Sequence, residues 1–307
     1  MRVLLVVLLA LSIAGCARGD DGSARAASGD VFGYDASLPL DVKETARETR
    51  DGLTVRRITY RSPKGGRVRA IVVVPPGAGP FAGLIVQHGM PGSSDEMQPV
   101  AEDYAKLGAV VVAIDAPFAR RGGHPVRFDR RDRREQIQMI VDLRRAVDLL
   151  QQREDVRDDD IAYFGYSYGG AMGGLLAGVE SRLGAFVLAV GDGGLVEHFT
   201  GPESHGPLPL LPAKQRKRWL AAMRPIEPLR YVARATAPLL FQAGRDDELV
   251  PPPDARRYHA AAPEPKEVIW YDAGHFLPPQ ASCDAARWLA PHVGTSPDHA
   301  ACAAAKP

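Results

Sequence analysis

A serine between glycines is the residue of this chain with the clearest chemical potential. Ser167 lies in the segment 165–169, of sequence GYSYG. An apolar run precedes this segment and a run of small residues follows it, which predicts a tight turn from a strand into a helix. Glycines let the strand and helix approach closely, and the helix N-terminus faces the negative charge that develops during nucleophilic attack. The G-x-S-x-G pattern therefore predicts a nucleophile elbow, against the alternative of a chance serine in a glycine-rich turn.

A serine nucleophile needs a base, and the base needs an acid to orient it. Histidine suits the first role because its unperturbed pKa lies near neutrality, and His275 directly follows the last apolar strand pattern of the chain. Two aspartates, Asp246 and Asp247, follow the preceding strand pattern. Either aspartate could instead cap the helix predicted after them. The candidates for a triad are thus Ser167, one of the two aspartates, and His275.

The elements that must position these residues alternate between apolar strand patterns and amphipathic helix patterns. An early pair of strand patterns around a Pro-Lys-Gly-Gly turn predicts a β-hairpin. The alternation beyond it predicts a mostly parallel sheet covered by helices on both faces, with the hairpin as an antiparallel N-terminal edge. Strands are predicted at 53–62, 67–75, 84–88, 109–115, 161–166, 185–190, 239–243 and 268–271, and helices at 95–107, 134–153, 168–179, 253–262 and 282–291.

One segment, 193–230, interrupts this alternation. It is rich in proline and too long for a plain connection, so it is predicted to form a small cap over the carboxyl ends of the strands. Phe199, Leu211 and Trp219 are its candidates for the walls of a substrate pocket, and Trp219 could equally anchor the cap to the core. The alternative is a surface excursion that does not touch substrate.

The N-terminus has the pattern of an export signal. A short basic start leads into an apolar run at 3–13 that is too short to span a bilayer stably. Small residues then precede Cys16, in a pattern that resembles the bacterial lipobox, where the cysteine is lipidated. This predicts a signal peptide at 1–15 and a lipid bilayer as partner, with the protein in the cell envelope facing the periplasm or the exterior. The alternative is a secreted protein whose signal is cleaved near residues 26–27.

Composition excludes some other functions. A net charge of +1 over 307 residues, with no basic stripe interleaved with aromatics, gives no expectation of nucleic-acid binding. No metal-ligand spacing and no phosphate-binding loop is present in the sequence, so neither a metal nor another cofactor is expected. Cys283 and Cys302 could pair in an oxidising compartment or remain as buried thiols. The sequence carries no signal for the oligomeric state.

Together these motifs resemble the α/β-hydrolase superfamily, and more closely its dienelactone-hydrolase-like branch. The acid loop G-x-x-D-x-x-V-P of that family selects Asp247 over Asp246. A strand that ends in H-G-x-P-G implies that the backbone N–H groups of Met90 and Tyr168 form the oxyanion hole. His88 in that loop is interpreted as a structural residue. Dienelactone hydrolases themselves use a cysteine nucleophile, so Ser167 favours a serine esterase.

The resemblance implies an α/β-hydrolase domain at 51–292 that includes the cap. Residues 16–50 are then a flexible tether and N-terminal extension, and residues 293–307 a C-terminal tail. The expected function is hydrolysis of a small-molecule carboxylic ester through an acyl-enzyme. The alternatives are a peptidase or acyltransferase with the same triad, or a catalytically idle lipoprotein that binds a partner.

Overall fold

The computed structural model describes residues 30–200, 210–300 and 302. The predicted signal peptide, the predicted lipidation site Cys16 and the tether up to residue 29 lie outside the described residues. The chain divides into the units 1–31 and 32–307, and every helix and strand given below belongs to the second unit.

The second unit is built on one nine-stranded sheet. Its spatial order is β1-β2-β3-β5-β4-β6-β7-β8-β9. The first three strands and β5 pair antiparallel, whereas the pairs from β5–β4 to β8–β9 are parallel. The strands are β1 (Lys43–Arg50), β2 (Leu53–Arg61), β3 (Arg67–Val74), β4 (Phe81–Gln87), β5 (Ala109–Ile114), β6 (Val156–Tyr166), β7 (Ala185–Ala189), β8 (Leu239–Gly244) and β9 (Lys266–Tyr271).

Helices cover both faces of the sheet. Helices α1 and α9 bury apolar side chains in one core cluster with residues of β2 to β8, and α3, α4 and α8 pack on strands from the other face. The helices are α1 (Gln98–Lys106), α2 (Pro117–Arg121), α3 (Arg130–Gln151), α4 (Tyr168–Ala177), α5 (Leu195–Thr200), α6 (Ala213–Met223), α7 (Pro228–Val232), α8 (Pro252–Ala261) and α9 (Pro279–Val293). The predicted mixed sheet with helices on both faces and an antiparallel N-terminal edge is confirmed.

The sheet begins before the predicted domain start at residue 51. Strand β1 (Lys43–Arg50) falls in the segment assigned to the N-terminal extension. All eight of its residues are exposed, so its sequence KETARETR has no apolar alternation from which a strand could be predicted. Its place depends on backbone pairing with β2. Helix α3 also begins earlier than predicted, at Arg130, because the Asp129 side chain accepts the N–H of Arg131 at 2.7 Å and caps the helix.

The C-terminal tail is joined to the last helix by a disulfide between Cys283 and Cys302, which we call the tail disulfide. Pairing was one of the two alternatives that the sequence left open. Within residues 30–200, 210–300 and 302, no helix is long and apolar enough to cross a membrane.

Candidate active site

The serine turn has the backbone geometry that its glycines predict. Ser167 follows β6 directly and has φ 55° and ψ −112°, a conformation that a residue with a side chain rarely adopts. A Cβ on Gly165 would lie 2.2 Å from the carbonyl oxygen of Gly169, and one on Gly169 would lie 2.3 Å from that of Gln87. Since real Cβ atoms do not approach so closely, only glycine allows β6, α4 and the end of β4 to meet around the serine.

The three predicted side chains lie within hydrogen-bond distance of one another. The Nε2 atom of His275 lies 2.9 Å from Oγ of Ser167. The other ring nitrogen, Nδ1, lies 2.9 Å from Oδ2 and 3.1 Å from Oδ1 of Asp247. These residues are 108 and 28 positions apart in the chain. They meet because the parallel strands β6, β8 and β9 all present their carboxyl ends at one edge of the sheet.

Of the two candidate acids, only Asp247 reaches the histidine. Its side chain is 2 % exposed, whereas Asp246 is exposed. The Oδ1 atom of Asp247 also accepts the backbone N–H groups of Leu249 and Val250, each at 2.9 Å. The carboxylate is thus held by the loop that follows β8, and its orientation does not depend on the histidine alone.

The histidine loop is fixed by a residue that sequence reasoning did not identify. The hydroxyl of Tyr166 donates to the backbone carbonyl of His275 at 2.5 Å, and the two rings pack edge to face. Burial raises the pKa of Tyr166 to about 12, so the hydroxyl stays protonated and able to donate. Its position next to Ser167 in the elbow was the available signal, because a side chain there projects beside the nucleophile.

The predicted oxyanion loop is held by His88, the first residue of its H-G-x-P-G motif. The whole residue is 1 % exposed. Nε2 accepts the N–H of Ala116 at 3.0 Å, so the proton is on Nδ1, which donates to the carbonyl of Gly89 at 2.6 Å. Burial lowers the pKa of His88 and keeps it neutral. These contacts agree with a structural interpretation of His88.

Met90 and Tyr168, the predicted donors of the oxyanion hole, line the same cavity as Ser167 and His275. Tyr168 is the first residue of α4, and the N–H groups of a helix's first turn have no partner inside the helix. Its phenol ring packs edge to face on Phe118. Its backbone N–H is therefore available to a ligand beside the serine.

The cavity above the serine has a volume of about 260 Å³ and a mainly apolar wall. Phe199 and Trp219, two of the predicted pocket residues, are in that wall. Leu211 is not, which corrects the expectation for this residue. Leu211 precedes α6, whose buried side chains are Trp219 and Met223. The apolar face of the helix therefore lines the cavity, and the residues that lead into the helix do not. Leu210 is 87 % exposed.

The cap is anchored through Trp219, which is one of the two roles that the sequence suggested for this residue. Its indole N–H donates to Oδ2 of Asp132 in α3 at 2.7 Å. Trp219 is 2 % exposed and its ring packs against Phe128 and Phe199. Burial raises the pKa of Asp132, although hydrogen bonds from Arg127 and Trp219 oppose the shift. Trp219 therefore both anchors the cap and lines the cavity.

Among the described residues, no group of three or more His, Cys, Asp or Glu side chains is placed to hold a metal ion. The chemistry of the described cavity is that of a serine, two imidazoles and carboxylates in an apolar enclosure. Such a set can carry out proton transfer and covalent acyl transfer.

Several known proteins are similar to this chain in structure or in sequence. An acetyl xylan esterase from Paenibacillus sp. R4 has a TM-score of 0.72 at 20% identity, over 85% of this chain and 91% of that one. An uncharacterized protein of Mycobacterium tuberculosis is 28% identical over 242 residues, which are 79% of this chain and 74% of the relative. The mitochondrial acyl-coenzyme A thioesterase 2 of Mus musculus is 26% identical over 249 residues, 73% of this chain. The chain spans about half the length of that thioesterase, 51%.

Residues 68–301 match the dienelactone hydrolase family, and this match covers more than half of the chain. The solved structures similar to it in fold include two acetyl xylan esterases. The chain therefore belongs to the dienelactone hydrolase family and is a carboxylic ester hydrolase of the α/β-hydrolase fold.

Proposed function

We propose that the chain hydrolyses carboxylic esters through an acyl-enzyme on Ser167. The serine Oγ attacks the ester carbonyl as His275 Nε2 takes its proton, and the N–H groups of Met90 and Tyr168 bind the oxyanion. The imidazolium then protonates the leaving alcohol as the C–O bond breaks. In the second half, His275 takes a proton from water, which attacks the acyl carbon. The imidazolium then returns a proton to Ser167 Oγ as the bond from the acyl carbon to Oγ breaks, which releases the acid and the free serine.

Asp247 supports this cycle by holding one tautomer of the imidazole. With the Nδ1–H donated to the Asp247 carboxylate, the lone pair on Nε2 faces the serine hydroxyl, as the first step requires. The carboxylate also stabilises the imidazolium that forms. The observation that carries the proposal is the 2.9 Å separation between His275 Nε2 and Ser167 Oγ.

The test combines covalent labelling with kinetics. We expect a fluorophosphonate probe to label the wild-type protein on Ser167, and Ser167→Ala to lose both labelling and about 10³-fold or more of kcat/KM on an aryl ester. Ser181→Ala is the matched control, because Ser181 is exposed and lies outside the cavity lining. Labelling of Ser167→Ala, or near wild-type turnover by it, would overturn the assignment of the nucleophile.

The acyl group that the enzyme prefers is a separate question. The names of the similar proteins include an acetyl xylan esterase and an acyl-coenzyme A thioesterase. The two names describe transfer of an acyl group to water, from oxygen in the esterase and from sulfur in the thioesterase. A panel of acetylated sugars, alkanoyl esters and acyl thioesters, compared by kcat/KM, distinguishes these substrate classes.

We also propose that the protein is exported and lipid-anchored through Cys16. The tail disulfide supports this, because disulfides persist mainly in oxidising compartments outside the cytoplasm. Cys16→Ser should lose membrane association in fractionated cells and keep ester hydrolysis, since the tether separates the anchor from the catalytic residues. A wild-type protein whose N-terminus begins beyond Cys16 would contradict the anchor.

A further inference from the structure

A second aspartate–histidine pair, besides Asp247 and His275, lies in the cavity wall. Nδ1 of His198 in α5 lies 3.3 Å from Oδ2 of Asp192, which follows β7. The Asp192 side chain is only 4 % exposed, whereas that of His198 is 34 % exposed. Both residues line the cavity that contains Ser167.

The pair is held in place from two sides. Oδ1 of Asp192 accepts the N–H of Gly194 at 2.7 Å, whereas Oδ2 is buried, faces Nδ1 of His198 at ion-pair distance and has no hydrogen bond to any residue that the structure describes. The ring of His198 packs edge to face on Phe199 at 4.9 Å. A buried carboxylate that faces Nδ1 favours the tautomer with its proton on that atom, and Nε2 then carries a lone pair.

Three other polar residues of the cavity wall are already engaged. Asp132 accepts the indole N–H of Trp219 at 2.7 Å, Glu135 accepts from Arg121 at 2.7 and 3.0 Å, and Gln136 donates to a backbone carbonyl at 2.6 Å. By contrast, Nε2 of His198 has no hydrogen bond to any residue that the structure describes. A ligand in the cavity can therefore use it without breaking an existing bond.

The charges around the cavity decide which kind of ligand group fits. Three carboxylates belong to the described wall, those of Asp132, Glu135 and Asp192. Glu135 is paired with Arg121, which lies outside the lining, and no lysine or arginine of the described residues lines the wall itself. A substrate carboxylate or phosphate would enter against this charge in a mainly apolar enclosure, where repulsion is weakly screened. A neutral hydroxyl brings no such penalty and donates to a lone pair.

We propose that His198, oriented by Asp192, is a binding site for a substrate hydroxyl inside the ester cavity. The preferred ester then carries a neutral hydroxyl on its acyl or alcohol part. This hydroxyl is far enough from the ester carbonyl to contact Nε2 of His198 while the carbonyl lies at Ser167. This inference rests on the proposed ester hydrolysis at Ser167 and names the class of substrate that this site takes.

Matched pairs of esters test the proposal. One series compares aryl esters of terminal hydroxyacids with those in which a methyl group replaces the hydroxyl, over several chain lengths. A second series compares acetate esters of diols with acetate esters of the corresponding methyl-terminated alcohols. We expect wild-type kcat/KM to favour the hydroxyl in at least one series by about tenfold, since a site built to hydrogen-bond a hydroxyl rejects the analogue without it.

Variants connect the preference to the histidine. His198→Phe keeps an aromatic ring against Phe199 and should reduce the hydroxyl preference to about one. His198→Gln, which retains an acceptor, should restore part of it. His292→Phe is the control and should keep the wild-type preference, because His292 lies in α9, stacked on Trp288, and outside the cavity lining. Thermal melts of each variant verify that it folds.

The outcomes separate this inference from the function on which it rests. If wild type hydrolyses none of these esters, the proposed ester hydrolysis fails. If it hydrolyses methyl-terminated esters as well as hydroxylated ones, or if His198→Phe keeps the hydroxyl preference, the hydroxyl site fails while ester hydrolysis stands. A third aryl series with a terminal carboxylate completes the test. A preference for the carboxylate that His198→Phe abolishes would show an anion site and overturn the assignment to a hydroxyl.

Discussion

Asp247→Asn tests the proposed catalytic acid most sharply, because the structure dictates which way the new amide will point. Oδ1 of Asp247 accepts two backbone N–H groups, from Leu249 and Val250, both at 2.9 Å. In the asparagine variant the carbonyl oxygen must take that position, since an amide NH₂ there would face two donors. The NH₂ group then takes the place of Oδ2, 2.9 Å from Nδ1 of His275.

The consequence is the wrong tautomer of the histidine. An NH₂ group donates to Nδ1, so the imidazole proton moves to Nε2 and the lone pair that should accept the Ser167 proton is lost. Replacing the orienting aspartate of a serine triad by asparagine costs about 10⁴-fold in kcat, or about 5.4 kcal/mol at 1.36 kcal/mol per factor of ten. The fold should change little, because both backbone donors keep their acceptor.

Asp246→Asn is the matched control, one position away. Asp246 is exposed, and only its backbone N–H, which donates to the Ala273 carbonyl at 3.0 Å, is tied to the histidine loop. We expect this variant to stay within about threefold of wild type, as surface substitutions away from a site usually have small effects. The assay is kcat and KM on an aryl ester, with thermal melts of all three proteins. Equal losses for the two variants, or a larger loss for Asp246→Asn, would refute the assignment.

Three further predictions concern the scaffold. Gly169→Ala should cost about 3 kcal/mol or more in the free energy of unfolding, because its Cβ would lie 2.3 Å from a carbonyl oxygen. Gly184→Ala, whose nearest contact would be 3.8 Å, should cost under about 1 kcal/mol in the same urea titration. Trp219→Phe should cost about 1.5–3 kcal/mol at pH 7. This cost should shrink as the pH falls through the raised pKa of Asp132, because the lost indole bond stabilised only the ionised carboxylate; a pH-independent cost would contradict this. Replacing both cysteines of the tail disulfide by alanine should cost about 3 kcal/mol, as expected for a separation of 19 residues, and an unchanged midpoint would show that the bridge adds no stability.

The sequence predicted the parallel part of the fold well, for a physical reason. Strands β4, β5, β7 and β8 are buried on both faces, so they appear as continuous apolar runs. Strand β1 could not be predicted in the same way. Every residue in it is exposed, and its pairing with β2 uses backbone groups that any sequence carries.

Some residues of the candidate site could likewise be predicted from the sequence, and others could not. Ser167, Asp247 and His275 were predictable because each follows a recognisable strand, and the topology brings the three strand ends together. The Tyr166 hydroxyl bond to the His275 carbonyl and the Asp192–His198 pair depend on where side chains from separate elements point. No spacing in the sequence records that, and the pocket role expected of Leu211 was wrong for the same reason.

The residues proposed to carry out acyl transfer are positioned by backbone geometry, whereas residues that select a substrate are constrained only by the cavity they surround. Gly165 and Gly169 are required because atoms of neighbouring backbone occupy the space of a Cβ, and any sequence with this elbow must keep them. The backbone imposes no such requirement at Phe199 and His198, since other side chains could fill the cavity without disturbing the sheet. Membership of the dienelactone hydrolase family thus indicates ester hydrolysis and leaves the substrate open. The choice of substrate must be found in the cap and the loop after β7, where this chain places a histidine that the catalytic cycle does not use.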